Sequence, residues 1–265
     1  MDEPQQQEMN DPNLTNIGIR IRAFRATDDP DTCQKFIDGH RTVLENHGIT
    51  KVTSSNDKWA QSKAVFVVVV ESLDGEKLFG GARVHAADGI TPLPIESATE
   101  YMDPKINEVV AFHAQNGTGE LCGLWNSIEV AGLGVGSLFA SRAAVVIASQ
   151  IGLSTMFSLC SPATVRFNQW IGSHILTSVG NKGTFYYPKI DLLATAVFLD
   201  DASSLKDAHP SEREKMLYLR ENLKCISKEK TPLKNIEIDV HYDLVVASAQ
   251  NNEFKIGSTL NKPTI

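Results

Sequence analysis

The octapeptide Val130-Ala131-Gly132-Leu133-Gly134-Val135-Gly136-Ser137 carries three glycines at alternate positions. Glycine accepts left-handed torsions that a side chain resists, so such a run turns sharply and lets backbone approach a ligand closely. Upstream, residues 120–129 read as a strand. Downstream, residues 137–151 form an alanine-rich apolar run ended by Gly152, which predicts a helix buried against a sheet. The start of a helix offers unpaired N–H groups and the positive end of its dipole, so strand, glycine turn and helix together make an anion site suited to a pyrophosphate. Two nucleotide motifs fail here. The dinucleotide pattern G-x-G-x-x-G has Ser137 where its third glycine belongs, and it follows a first strand, not a fourth. The P-loop needs a Gly-Lys-Ser/Thr that is absent. A tight turn that binds nothing is the plain alternative.

Working outward, residues 17–24 alternate apolar and polar, with Ile17, Ile19 and Ile21 on one side, as in a half-buried strand. Thr27-Asp28-Asp29-Pro30 starts a helix over residues 31–47, with Cys33, Phe36, Ile37, Val43 and Leu44 at helical spacing. Residues 64–71 are a β-branched run suited to a central strand buried on both faces. Asp74-Gly75 turns the chain into a second strand over 78–86. Residues 95–112 read as partly helical. Past the alanine-rich helix come a strand at 154–159, a helix at 162–171, and strands at 183–187 and 194–199. Antiparallel hairpins followed by a strand–helix–strand crossover predict an α/β (α+β) fold with a mixed sheet. Residues 1–16 read as a disordered tail, 17–200 as the main domain, and 201–265 as an extension packed on it. In the extension Ser211-Glu212-Arg213-Glu214 fits a capping box, Met216, Leu217, Leu219 and Leu223 follow on a helix, and residues 236–246 suit one strand or two.

The 265 residues are 42% hydrophobic and carry a formal charge of -7. That charge argues against nucleic acid as a partner, since phosphate binding needs a basic face. Cys33, Cys122, Cys160 and Cys225 are widely spaced with no C-x-x-C pair, so reduced thiols and no metal are expected. No apolar run approaches the ~20 residues of a membrane span. The N-terminal residues lack a signal-peptide pattern, and a cytoplasmic location is the expectation.

The glycine turn resembles the signature Arg/Gln-x-x-Gly-x-Gly/Ala of the acyl-CoA N-acyltransferase (GNAT) superfamily, with Gly134 and Gly136 matching and Ala131 at the first position. The element order agrees over residues 17–199. Gly80-Gly81-Ala82-Arg83-Val84-His85, followed by Gly89 and Leu93-Pro94-Ile95-Glu96, looks like the third-strand region of autoinducer synthases and N-acyl amino acid synthases in that superfamily. Glu120-Leu121-Cys122-Gly123-Leu124 is similar to their Glu-Leu-Ser-Arg-Phe, with Gly123 in place of the arginine. The resemblance implies a GNAT-like central mixed, mostly antiparallel sheet flanked by helices. It implies an N-acyltransferase passing an acyl group from acyl-CoA, or from acyl carrier protein, to a small-molecule amine by direct attack. A non-catalytic acyl-CoA-binding protein of the same fold is the alternative, and a homodimer is compatible with either. The implied donor site is Ser127, Ile128, Val130, Ala131, Gly132, Leu133, Gly134, Val135, Gly136 and Ser137, with N–H groups near Ser127 to Val130 facing the thioester carbonyl.

Acyl transfer to an amine needs a base for the amine, donors for the oxyanion and a proton for the leaving thiolate. Glu120 is the preferred base, Glu129 its rival, and His113 a third candidate ahead of His85 and His174. Arg83 is the candidate for holding a substrate carboxylate, or else an acidic neighbour. The family's acid is a tyrosine on the helix after the fifth strand; Asn168 stands there, and Tyr186 and Tyr187 are the nearest replacements. Cys160 is the candidate for a covalent route. Arg20, Arg22 and Arg25 are the candidate basic patch for an acidic carrier protein.

Overall fold

The computed structural model describes residues 18–46, 48–49 and 57–247. The predicted tail at 1–16 lies outside them. Ten strands join in one sheet: β1 (Ile19–Arg25), β2 (Val65–Ser72), β3 (Leu78–Ala86), β4 (Thr118–Asn126), β5 (Thr155–Cys160), β6 (His174–Ile175), β7 (Thr184–Tyr186), β8 (Leu193–Leu199), β9 (Lys224–Lys230) and β10 (Glu237–Asp243). Their order is β6-β8-β5-β4-β3-β2-β1-β10-β9, with β7 also on β8. The β4–β5 and β1–β10 pairs are parallel and the rest antiparallel, so the mixed, mostly antiparallel sheet expected from the sequence is the one that forms.

The β-branched run of β2 shows why the sheet is covered on both faces. Phe66, Val68 and Val70 point into one core, while Val65, Val67 and Val69 point into another. The first core is closed by α4 (Ala140–Ala148) and α6 (Pro210–Glu221); the second by α1 (Pro30–Asn46), whose Phe36 and Ile37 meet Trp59 and Trp125. A third cluster packs α2 (Pro94–Thr99) and α3 (Lys105–Ala114) against β5 and β8 through Ile95, Ile106, Phe157 and Phe198. The α4 residues are buried all round, as an apolar helix between a sheet and a second helix must be. α5 (Pro162–Trp170) lies beside the start of α4.

Three expectations need correction. The fourth strand stops at Asn126 instead of 129, because Ser127 N–H closes the ladder on Phe79 O (2.8 Å) and the chain then coils into a 3-10 turn, Ile128–Val130. The capping box at 211–214 does not form: Pro210 begins α6, so Ser211 lies inside the helix and His209 takes the N-cap position. Residues 224–230 form an edge strand that the apolar pattern did not announce.

Candidate active site

β4 and β5 pair only from Thr118 to Glu120, opposite Thr155 to Phe157, and then part. Two features of β4 drive the separation. Arg83 pairs with Cys122 but Gly81 pairs with Trp125, so β4 holds one residue more than β3 over this span. Such a bulge leaves a residue outside the ladder and bends its strand. Gly123, at φ +61, supplies the left-handed torsion. A Cβ there would lie 2.7 Å from Arg83 Nε and 2.9 Å from its Nη2, so glycine also makes room for the guanidinium. The residue that reads in the sequence as a lost arginine is therefore the space that Arg83 fills.

The opening between the strands is a cavity of about 510 Å³. Residues 120–124 of β4 and 158–160 of β5 form its two walls, α1 contributes His40 and Leu44, α5 contributes Asn168, and the segment before β8 contributes Tyr187 and Leu192. Glu120 is 2% exposed. Its Oε2 accepts the N–H of Ile95, at the start of α2, at 2.6 Å. Burial pushes its carboxyl up to about 8, with nearby Glu96 adding to the rise, against the opposing pull of the Ile95 N–H and Arg83. Burial likewise pushes the Cys122 and Cys160 thiols up to about 12, so neither forms a thiolate near neutrality and the covalent route through Cys160 loses its nucleophile. His40 is driven down to about 4 by burial and by Arg83, and is neutral.

Two lining side chains offer hydrogen-bonding capacity to a ligand. Asn168 is 2% exposed; its Nδ2 donates to Thr164 O at 3.2 Å, while its Oδ1 has no hydrogen-bond partner among the described residues. A buried amide left half satisfied is a position for a ligand's N–H. Tyr187 reaches the cavity, whereas Tyr186 is 63% exposed and does not line it. A second cavity of about 690 Å³ lies on the α1 face of β3, lined by Lys58, Trp59, Arg83, His85 and Asp88. Pro94 lines both cavities. Glu120 and His85 are cross-strand partners, so the base candidate stands on the wall that separates the two spaces. Arg83 is fully buried, with its guanidinium 4.4 Å from the Trp59 ring.

The glycine turn follows β4 and enters α4 through a wide π-helical turn, Val135–Phe139. Gly132 and Gly134 are left-handed, at φ +78 and +77. Much of the expected cradle is already engaged within the protein. Gly136 N–H donates to Asn126 Oδ1 (2.7 Å), Leu133 N–H to Val130 O (3.1 Å), and Ser137 and Leu138 N–H to Gly134 O. A Cβ on Gly134 would meet Pro232 and Leu233 of the loop between β9 and β10 at 3.1–3.2 Å, whereas one on Gly132 would find only Lys234 Cε at 3.6 Å. Ser127 and Val130 N–H are donated to Phe79 O and Ser127 O, Val130 is core, and Ile128 and Ala131 are exposed. The cavity lies at residues 120–124, not at Ser127 to Val130, because the bulge precedes the strand's end.

The remaining candidates separate. Glu129 is exposed and paired with Lys77 (3.3 Å). The His113 ring packs 4.5 Å from Phe198, and His174 is exposed on β6. The predicted basic patch does not form: Arg20 and Arg22 both bind Glu71, Arg22 also binds Asp29, and Arg25 is buried.

No family model matches the chain, and no curated protein matches it in sequence. Among solved structures it is similar to an N-acyl amino acid synthase from uncultured soil microbes, with a TM-score of 0.54 and 16% identity over 74% of this chain and 97% of that one. The chain has a GNAT-like fold. A CoA-dependent acyl-homoserine lactone synthase (TM-score 0.48, 11% identity, 88% of this chain and 100% of that one) and a chimeric spermidine N-acetyltransferase from Vibrio cholerae (0.43, 13%, 71% and 97%) are further neighbours of this GNAT-fold protein. Among the described residues no helix is long and apolar enough to cross a membrane.

Proposed function

We propose that this chain is an N-acyltransferase that takes an acyl group from a pantetheine thioester, bound between β4 and β5, and passes it to an amine. The observation that carries this reading is Glu120: a buried carboxyl, raised to about 8, at the point where the two strands part. A carboxylate with that proton affinity is a competent base for an ammonium group near neutral pH. The ammonium loses one proton to Glu120, the freed lone pair attacks the thioester carbon, and the nitrogen gives its second proton to solvent as the tetrahedral adduct collapses. The bulged backbone of β4 faces the oxyanion, and the C–S bond breaks as the carbonyl re-forms. Tyr187 supplies the proton that the leaving thiolate takes up, and recovers one from solvent. The products are an amide and a free thiol. Asn168 Oδ1 accepts a pantetheine amide N–H.

The test is turnover of acyl-pantetheine thioesters of graded length against a panel of primary amines and amino acids, with released thiol as the readout. Wild type is expected to release thiol only when an amine is present. Glu120→Gln is expected to lose about 10²–10⁴ in kcat/KM with thioester binding retained. The wild-type rate rises with pH through about 8, because only the ionised carboxylate accepts the proton. Thioester binding without any thiol release favours the non-catalytic reading, and an unchanged rate in Glu120→Gln removes Glu120 from the mechanism.

A further inference from the structure

Arg83 is the bulkiest fully buried side chain among the described residues, and no step of the acyl transfer uses it. A buried guanidinium is costly, and it keeps its charge because arginine does not deprotonate in proteins. The fold accommodates it in two ways. The guanidinium carbon lies 4.4 Å from the ring of Trp59, on the 3-10 turn before β2, and 5.9 Å from the ring of Phe36 on α1. Aromatic faces attract a cation. Gly123 then omits the Cβ that would stand 2.7 Å from Arg83 Nε. Together these contacts seat the charge at one place on the sheet.

The strand register shows what that place faces. On the antiparallel pair β3–β4, Arg83 stands opposite Cys122 and His85 opposite Glu120. Side chains two residues apart share a face, so Arg83 is the diagonal neighbour of Glu120. Diagonal neighbours lie about 7–8 Å apart, which is within Coulomb reach where water is excluded.

The other titratable groups around Glu120 are neutral or occupied elsewhere. On β3, burial and Arg83 hold His85 well below its ordinary value. Burial pushes the thiols of Cys122 on β4 and Cys160 on β5 up to about 12. On α1, burial and Arg83 bring His40 down to about 4. On α2, burial raises Glu96, whose carboxyl accepts the Leu93 N–H at 2.7 Å. Asp191, ahead of β8, lines the same cleft but is exposed. Among the described residues that face Glu120, Arg83 therefore carries the positive charge.

We propose that Arg83 is a positioning residue: its guanidinium, seated by Gly123 and Trp59, stabilises the ionised Glu120 that accepts the ammonium's proton. The inference rests on the acyltransferase reading for the task of Glu120; the coupling between the two side chains stands apart from it.

Two measurements on the full chain test it. The first is the pH–rate profile of thiol release for wild type, Arg83→Met and Arg83→Lys. Loss of the charge should move the midpoint up by at least about one unit, so Arg83→Met is about tenfold slower at pH 7 and regains ground as pH rises. Arg83→Lys, which keeps a charge, should stay nearer wild type. The second measurement needs no turnover. The melting-temperature advantage of Glu120→Gln over its parent should level off at about pH 8 in the wild-type background and go on rising to about pH 9 in an Arg83→Met background. Arg83→Gln takes the place of Arg83→Met in both if the latter does not fold. An unmoved profile with an unmoved levelling-off overturns the proposal. A raised KM confined to carboxylate-bearing amines, with the profile unmoved, also overturns it and makes Arg83 a substrate contact. If wild type turns over no acyl-pantetheine while the levelling-off still moves, the coupling stands and the acyltransferase reading falls.

Discussion

A carboxyl raised to about 8 by burial is a liability to the fold at the same time as it is useful to chemistry. Glu120 keeps its proton in the folded chain up to about 8 and loses it near 4.5 when unfolded. Across that window the folded state binds more protons, so Glu120 makes stability fall as pH rises from about 4.5 to about 8 and adds no further slope above. Glu120→Gln keeps an oxygen for the Ile95 N–H and removes the ionisation. Its melting temperature should match wild type below about pH 4.5 and exceed it by a margin that grows up to about pH 8 and then holds level. Thermal unfolding at a series of pH values decides this, and parallel curves for the two proteins would mean that the carboxyl is not held in its protonated form. The same residue marks how far single positions were legible. Glu120 is conspicuous in the sequence only as an acid on a strand; its environment is assembled from α2, β3 and β5, which lie far off in the chain. Gly123 shows the opposite case. Its meaning depends on Arg83, and no property of glycine alone announces a cross-strand guanidinium.

The glycine turn contains three glycines that the sequence treats alike and the packing does not. Gly136 lies where the helix start presses on β4: a Cβ would come 2.3 Å from Asn126 Oδ1 and 2.7 Å from Trp125 O, and the latter is backbone of a central strand. Gly132 has open space and only its left-handed torsion to satisfy. Gly136→Ala should therefore cost about 1–3 kcal/mol, as overpacking does, while Gly132→Ala costs about 1 kcal/mol from its torsion. Urea unfolding measures both, and equal losses would show that torsion governs the turn. The elements that could be read in advance are those whose inward residues are apolar at a regular period: β2, β3, α1 and α4. β9 could not, because its inward positions are Cys225, Ser227 and Glu229, polar groups that become core only by meeting Lys215, Arg142 and Tyr242. Lysines on its outward side keep this edge from pairing further.

At the scale of the molecule, beside the β1–β10 ladder and the shared core, one buried guanidinium joins three elements of residues 201–247 to α4. Arg142, on α4, is 4% exposed and binds Glu212 from α6 at 2.7 and 2.8 Å, Glu229 from β9, and the Tyr242 hydroxyl from β10 at 3.1 Å. Lys215 adds a second cation to Glu229 at 2.9 Å. Burial alone would push the Glu229 carboxyl up, but Arg142, Tyr242 and Lys215 outweigh it and hold the group below its ordinary value. In wild type this stability is present above the unfolded carboxyl's range near 4.5 and fades as pH falls through the lower folded value. Arg142→Met fills similar space without the charge, strands the buried Glu212 carboxylate and leaves Glu229 with Lys215 as its cation. The loss should be about 3–5 kcal/mol near neutrality, the usual result of removing one partner from a buried ion pair. Acidification protonates the stranded carboxyl, so the deficit should shrink between pH 7.5 and 4.5. Adding Glu212→Gln and Glu229→Gln to Arg142→Met should recover much of the loss and flatten its pH dependence, because neutral amides bury at lower cost than unpaired charges. Chemical unfolding of the single and triple variants at both pH values separates these outcomes. A deficit that ignores pH and survives the triple change would mean that Arg142 holds the extension by its aliphatic packing on Phe139, not by its charge.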